Sequence, residues 1–190
     1  MDQPFAAPPV LPSRDPDAAL VHECRCGKRR ALDELVGRYQ RPLFNAALRI
    51  LNHRDDARDV TQTVFMKAFE RLDHYDPNQR FFSWIYRIAV NESLNCLAAR
   101  RPQVALAEDL VLDQPTPEDA CEHDQLEHGL QSALMLLNAD QRTLVVLKHV
   151  MGCSYEAIGT ILEVPVSTVK SRLYSAREAL REVCAARGLL

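Results

Sequence analysis

Two faces of this 190-residue chain carry side chains suited to nucleic acid. The first lies within Ser154–Leu180. Beyond a break at Glu163-Val164-Pro165, the residues Val169, Leu173, Ala176 and Leu180 recur at helical spacing and form an apolar stripe. The opposite face shows Ser167, Lys170, Ser171, Tyr174 and Ser175, a hydroxyl-rich, cationic surface of the kind that enters a DNA major groove. The second face runs through residues 80–95. At 100° per residue, Arg80, Trp84, Arg87, Asn91 and Asn95 share one stripe. Arginine suits phosphates, an indole suits base stacking and asparagine suits base edges, a set fitted to a single strand. Trp84 fits a hydrophobic core equally well.

The elements that must position these faces are helices. Tyr155, Ile158, Ile161 and Leu162 mark a short helix before the break. Proline disfavours helix at the residue before it and removes an N–H donor, so the chain turns there. Ser167 or Thr168 is expected to cap the following helix. Upstream, Asp15-Pro16-Asp17 is expected to cap a first helix reaching Cys26. A second helix is expected from Lys28 to Leu51, with Leu32, Leu35, Tyr39, Leu43, Ala46, Ala47 and Ile50 inward and a kink at Pro42. A third, capped by Asp55 or Asp56, runs to Leu72 with Val60, Val64, Phe65, Ala68 and Leu72 on its apolar side. Its other side carries Asp59, Gln62, Thr63, Met66 and Glu70. After a loop, residues 74–79, a fourth helix spans Arg80 to Arg101, with Phe81 and Phe82 expected in the core.

Charge divides the chain. Net charge is −3, but residues 103–128 hold eight carboxylates and no Lys or Arg. Residues 1–102 carry +3 and residues 129–190 carry +2. Two weakly basic blocks flank an acidic, proline-containing segment, and such weak basicity implies modest unaided DNA affinity. The expected organisation is a disordered tail (1–16), a helical domain (17–101), a flexible acidic linker (102–119) and a second helical domain (120–187). The fold class is all-α. No apolar run approaches the roughly 20 residues that span a bilayer, and no signal peptide is visible, so a cytoplasmic protein is expected. The six cysteines are scattered. His22, Cys24 and Cys26 hint at metal, but their spacing is unusual and alternate helical residues point apart, so Cys24 reads as packing and no metal or other cofactor is expected. Cys153 and Cys184 also read as packing positions.

The strings RALDELVGRYQRPLFNAALRIL, RDDARDVTQTVFMKAFERLDHY and RFFSWIYRIAVNESLNCL, followed by LNADQRTLVVLKHVMGCSYEAIGTIL and VPVSTVKSRLYSAREAL, resemble bacterial sigma factors of the extracytoplasmic-function (ECF) group in the sigma-70 family. The resemblance covers about residues 20–101 (region 2) and 126–184 (region 4). It implies a dissociable factor that directs RNA polymerase core to chosen promoters. Asp59, Gln62, Thr63, Met66 and Phe69 are then the expected contacts to the clamp coiled coil of the largest subunit, and the β flap is a further expected partner. Thr63 stands where the family commonly has glutamate. Loop 74–80 and the fourth helix would read the −10 element through Tyr75, Arg80, Trp84, Arg87, Asn91 and Asn95, with Asn91 at the position that holds a flipped non-template base in relatives. Ser167, Thr168, Lys170, Ser171, Tyr174 and Ser175 would read the −35 element, with Arg172 and Arg177 on phosphates. Lys170 and Ser175 stand where arginine is frequent, so the preferred −35 sequence is expected to differ. The resemblance also implies an anti-sigma partner, one that could hold the factor at the membrane, and a linker threading the polymerase channel, where its charge would mimic nucleic acid.

Two other readings compete. A stand-alone helix-turn-helix regulator would bind duplex tightly without polymerase and leave the third-helix face and the Arg80–Asn95 stripe without a purpose. A metal or thiol sensor would rest on His22, Cys24 and Cys26. No catalytic constellation or small-molecule site stands out, and an enzyme is not expected.

Overall fold

The computed structural model describes residues 15–104 and 122–186, which are all-α with no strand among them. Helix α1 spans Ala18–Arg25, α2 Arg29–Leu51, α3 Arg54–Glu70 and α4 Phe81–Val104. A single 3₁₀ turn, Leu72–His74, lies between α3 and α4. The C-terminal helices are α5 (Glu122–Leu136), α6 (Ala139–Val145), α7 (Tyr155–Leu162) and α8 (Val166–Ala186). The first three positions of the expected linker continue α4, and the remainder lies outside the described residues, as does Cys121.

The inward stripe of α2 buries Leu35, Tyr39, Leu43, Ala46, Ala47 and Ile50 as its spacing requires, while Leu32 is half-buried. The helix runs continuously from Arg29 to Leu51 with Pro42 inside it. Asn52 ends it with φ 52°, a left-handed conformation that asparagine tolerates, and its N–H returns to Leu48 O at 2.8 Å. On α3, Val60, Val64 and Ala68 are buried, Leu72 follows in the 3₁₀ turn, and Phe65 is only half-buried. Each large apolar side chain fully buried here contributes roughly 1.5–3 kcal/mol.

Three caps differ from their sequence expectation. His53, not Asp55 or Asp56, caps α3, its Nδ1 accepting the Asp56 N–H at 3.3 Å. Asp17 occupies the α1 N-cap position, but its carboxylate accepts from Arg38 and the Tyr39 hydroxyl instead of capping. Asp15 is also part of the folded body rather than of a disordered tail, since it is 9% exposed. In α8 the helix begins at Val166, with Val169 N–H bonded to Pro165 O at 3.1 Å, so Ser167 and Thr168 sit inside the first turn. Elsewhere capping is local: Asn138 and Gln141 form a capping box on α6, and Ser154 Oγ accepts the Ala157 N–H at 3.1 Å on α7.

After α6, residues Val146–Val150 widen into one π-helical turn, with Met151 N–H on Val146 O at 3.0 Å. The α7–α8 turn is tighter. Glu163 adopts φ 55°, and Val164 N–H bonds to Gly159 O at 3.0 Å. A Cβ on Gly159 would lie 2.9 Å from Val164 O, a backbone atom with little freedom to yield. Helix propensity favours alanine over glycine by about 1 kcal/mol, but overpacking against backbone costs about 1–3 kcal/mol. Gly159→Ala is therefore expected to lower unfolding free energy by roughly 1–2 kcal/mol in urea titration, the crowding term outweighing propensity; a midpoint equal to or above wild type would show that the turn relaxes freely.

Candidate nucleic-acid interface

Helix α8 turns its two faces as the spacing requires. Val169, Leu173 and Ala176 are buried, whereas Ser167, Lys170, Ser171, Arg172, Ser175 and Arg177 are exposed and Thr168 is half-buried. Tyr174 is 68% exposed, an unusual position for a large aromatic. Ser171 and Ser175 donate to the backbone carbonyls of Thr168 and Ser171, at 3.1 and 3.3 Å, which leaves their oxygens as acceptors facing outward. Lys170 leans back over the Tyr155 ring, its Nζ 5.7 Å from the centroid. Arg177 Nε donates to His149 Nε2 at 3.1 Å. Burial, with Arg177 and Lys148 nearby, holds His149 below its ordinary range, so the ring is neutral near pH 7 and can accept.

The α4 stripe is divided. Arg80, Asn91 and Asn95 are exposed. Trp84 is half-buried, its ring 5.4 Å from Tyr75 and 5.6 Å from Phe81, so the indole is packed on one side and open on the other. Tyr75, expected on DNA, is a core residue at 3% exposure. Its single hydroxyl proton is shared between Asp15 Oδ2 and the Gln79 carbonyl, and burial together with the Asp15 carboxylate pushes its phenol up, keeping it protonated. Phe81 is fully buried, and Phe82 is half-buried, stacked on Tyr86 at 4.4 Å.

Arg87 is covered by the C-terminal helices. Its Nη1 donates to Glu163 at 2.8 Å and its Nη2 to Thr160 O at 2.8 Å, so a guanidinium from α4 caps the C-terminal end of α7. A second arginine joins the two halves more deeply. Arg142 is 6% exposed and donates to Leu134 O, Met135 O and Leu137 O at the end of α5 and to Ile50 O at the end of α2, the last at 2.6 Å. Gln131 adds a third link, exchanging hydrogen bonds with the Arg49 side chain and backbone. Apolar residues of both halves, from Leu35 and Ile85 to Leu147 and Ile158, form one continuous core. Two polar atoms of α4, Tyr86 Oη and Arg87 Nε, are buried with no hydrogen-bond partner among the described residues.

Between α2 and α3 an open groove of about 680 Å³ is lined by Gln62, Met66 and Phe69 from α3. Met66 is 56% exposed, and Phe65 stacks on Phe69 with centroids 5.9 Å apart. The opposite wall comes from α2 through Val36, Gly37, Gln40, Arg41 and Phe44, which the sequence reading did not single out. Their signal was a second apolar pair, Val36 and Phe44, displaced from the buried α2 stripe. Asp59 and Thr63 do not line the groove: Asp59 lies toward Cys96 of α4, whose thiol is raised by burial and then by the Asp59 charge, and Thr63 is half-buried. Cys153 and Cys184 are buried, and burial pushes the Cys153 thiol up to about 11. His22 Nε2 lies 3.9 Å from Cys26 Sγ, and no three metal-ligating side chains gather among the described residues. No described helix is long and apolar enough to cross a membrane.

Comparison with known proteins identifies both halves. Residues 35–103 match the sigma-70 region 2 family model and residues 128–180 the sigma-70 region 4 model. The RNA polymerase sigma-H factor of Pseudomonas aeruginosa is 35% identical over 180 residues, covering 88% of this chain and 93% of the relative. The ECF RNA polymerase sigma factor SigW of Bacillus subtilis is 32% identical over 174 residues, covering 85% and 93%. The chain belongs to the sigma-70 family, in its ECF group. CnrH, solved with the cytosolic domain of CnrY, superposes on this sigma factor with a TM-score of 0.72 at 27% identity, covering 90% of this chain and 99% of that one. RpoE of Bartonella quintana, solved with the anti-sigma factor NepR, gives 0.65 at 25% identity, covering 80% and 96%. As a sigma factor the chain acts with RNA polymerase in promoter recognition.

The seam between the two halves of this sigma factor has unequal parts. The Glu163 side chain is 67% exposed, and ion pairs at that exposure are worth at most about 1 kcal/mol. Arg142 is buried and serves four carbonyls. Glu163→Gln is expected to change stability by less than about 1 kcal/mol in chemical denaturation, and Arg142→Met to cost about 3 kcal/mol or more; equal effects would mean that Arg142 does not hold the junction.

Proposed function

We propose that this sigma factor reads the −35 element through the exposed polar face of α8 and captures a flipped non-template base at Asn91 as the −10 element melts. Extruding a base costs a few kcal/mol, and a pocket offering hydrogen bonds and stacking offsets that cost only in the open form. Binding the open form in preference to the duplex shifts the equilibrium toward melting without hydrolysis of a nucleotide. Exposed Arg80, Asn91 and Asn95 and the open side of Trp84 supply the surface for this, and Arg87 joins them when Glu163 and Thr160 release it.

The observation that carries the reading is the α2–α3 groove with Met66 at its rim. An exposed methionine beside a stacked phenylalanine pair fits a helix from a large partner, and a regulator acting alone would have no use for it. We assign that partner as the clamp coiled coil of the polymerase largest subunit, with the β flap engaging the C-terminal helices. Asp59 and Thr63, on the neighbouring flank of α3, would meet the rim of such an interface. An anti-sigma protein would compete for these surfaces. The related sigma factors solved with CnrY and with NepR make this class of partner the natural expectation.

The two promoter elements lie, as their names state, about 25 base pairs apart, which is roughly 85 Å at about 3.4 Å per pair. Helices α4 and α7 are in direct contact. Simultaneous reading of both elements therefore requires the seam to open.

Transcripts sequenced from purified bacterial polymerase with and without this chain test the function: new, shared start sites are expected only with it. Met66→Asp is expected to weaken polymerase binding at least about tenfold, near 1.4 kcal/mol, in a competition assay, and unaltered affinity would remove the groove from the interface. Asn91→Ala should slow promoter opening while polymerase binding holds, whereas Lys170→Ala should weaken promoters through the −35 element and spare initiation on a premelted bubble. Parallel loss of every activity in both variants would contradict this division of labour.

A further inference from the structure

Two carboxylates are buried beside the loop that precedes α4. Asp17, 1% exposed, faces α2, where Arg38 and the Tyr39 hydroxyl donate to it. Asp15 faces the other way. Its Oδ2 accepts the Phe81 N–H at 2.7 Å and the Tyr75 hydroxyl at 3.0 Å, and its Oδ1 accepts the Asp17 N–H at 3.2 Å. Phe81 is the first residue of α4, so the carboxylate satisfies one of the N–H groups that every helix start leaves open, at the end whose dipole favours negative charge.

Tyr75 and Phe81 bound the segment Asp76-Pro77-Asn78-Gln79-Arg80. One oxygen, from a residue 60 positions upstream of Tyr75, thus closes both ends of that segment. Within it, Asp76 Oδ1 accepts from the Asn78 N–H and side-chain amide at 2.9 Å each, and Gln79 N–H returns to Asp76 O at 3.0 Å. Beneath it, Tyr75, Phe81 and Trp84 pack ring against ring, and Tyr39 packs edge-on to Phe81 at 5.4 Å. Asn78 and Arg80 are left facing solvent on a segment whose shape is already fixed. Ordering a loop before its ligand arrives removes that cost from binding and fixes the geometry that distinguishes one base from another.

We propose that Asp15 is a positioning residue for promoter reading: without touching nucleic acid itself, it ties Tyr75 to the start of α4 and so sets the conformation in which residues 76–80 and the α4 stripe meet the −10 strand. This rests on the reading of that loop as a −10 contact. Asp17 anchors the same strap to α2, which makes the two acids one clasp.

The test uses holoenzyme assembled from polymerase core and the full chain, on a promoter whose start has been mapped. The quantity read is the ratio of initiation on the natural −10 sequence to initiation on a transversion of it. Loss of folded protein lowers both values and leaves their ratio unchanged, whereas loss of positioning collapses the ratio. Asp15→Ala is expected to reduce it about fivefold or more with polymerase affinity held within about twofold, and Asp15→Asn, which keeps an acceptor oxygen, to retain most of it. If Asp15→Ala does not fold, Tyr75→Phe deletes the hydroxyl that reaches both the carboxylate and the Gln79 carbonyl of the loop, and is expected to lower the ratio in the same direction. Wild-type ratios in the folded variants would overturn the positioning role. A ratio of one for the wild-type chain would instead overturn the loop's assignment, and the proposal with it.

Discussion

One buried guanidinium holds the junction on which this architecture turns. Arg142 sits where α2 and α5 end, and helix ends present carbonyls with no partner of their own. A cation there meets both the orphan acceptors and the negative end of each helix dipole. Burial lowers its affinity for its proton, but arginine remains charged in proteins, so the four acceptors must stay in place. Arg87 repeats the device at the end of α7 with less burial and a more exposed partner. Two arginines at helix C-terminal ends thus join a region 2 bundle to a region 4 bundle.

The seam is firm at one end and incomplete at the other. Around Arg142 every guanidinium contact is a short bond to backbone, whereas beside α7 the Tyr86 hydroxyl and Arg87 Nε are buried without partners among the described residues. An unsatisfied buried polar group costs about 1–3 kcal/mol, and opening returns it to water. The surface that closes the chain also holds Arg87, which we propose for the −10 strand. Closed, the molecule covers part of the proposed −10 face and leaves the α8 face exposed; an open form would present both, each only weakly basic. On the proposed reading, a large partner docked in the α2–α3 groove makes up the deficit in DNA affinity.

Much of this was readable because it is local. The stripes of α2, α3 and α8 follow from spacing alone, and the outward face of α8 is the complement of Val169, Leu173 and Ala176. What escaped the sequence depends on contacts between distant residues. Nothing in its spacing singles out Arg142 until the ends of α2 and α5 bring their carbonyls to it. Tyr75 reads as an exposed loop aromatic until Asp15 is found against its hydroxyl. His53 displaced two aspartates as the α3 cap because its ring reaches the Asp56 N–H, and Pro165 placed the α8 start too early for Ser167 or Thr168 to cap it. Two of the five expected polymerase contacts, Asp59 and Thr63, fell outside the groove because helical periodicity fixes a face and not the neighbour that it meets.

We propose that the chain opens along this seam as it takes up polymerase and promoter. The most direct test places a fluorophore pair on α3 and α8 of the full chain and follows energy transfer during assembly. High transfer in the free protein, falling by an amount that corresponds to tens of ångströms once polymerase and promoter are bound, is the predicted result. A transcribing complex whose transfer efficiency matched that of the free chain would contradict it.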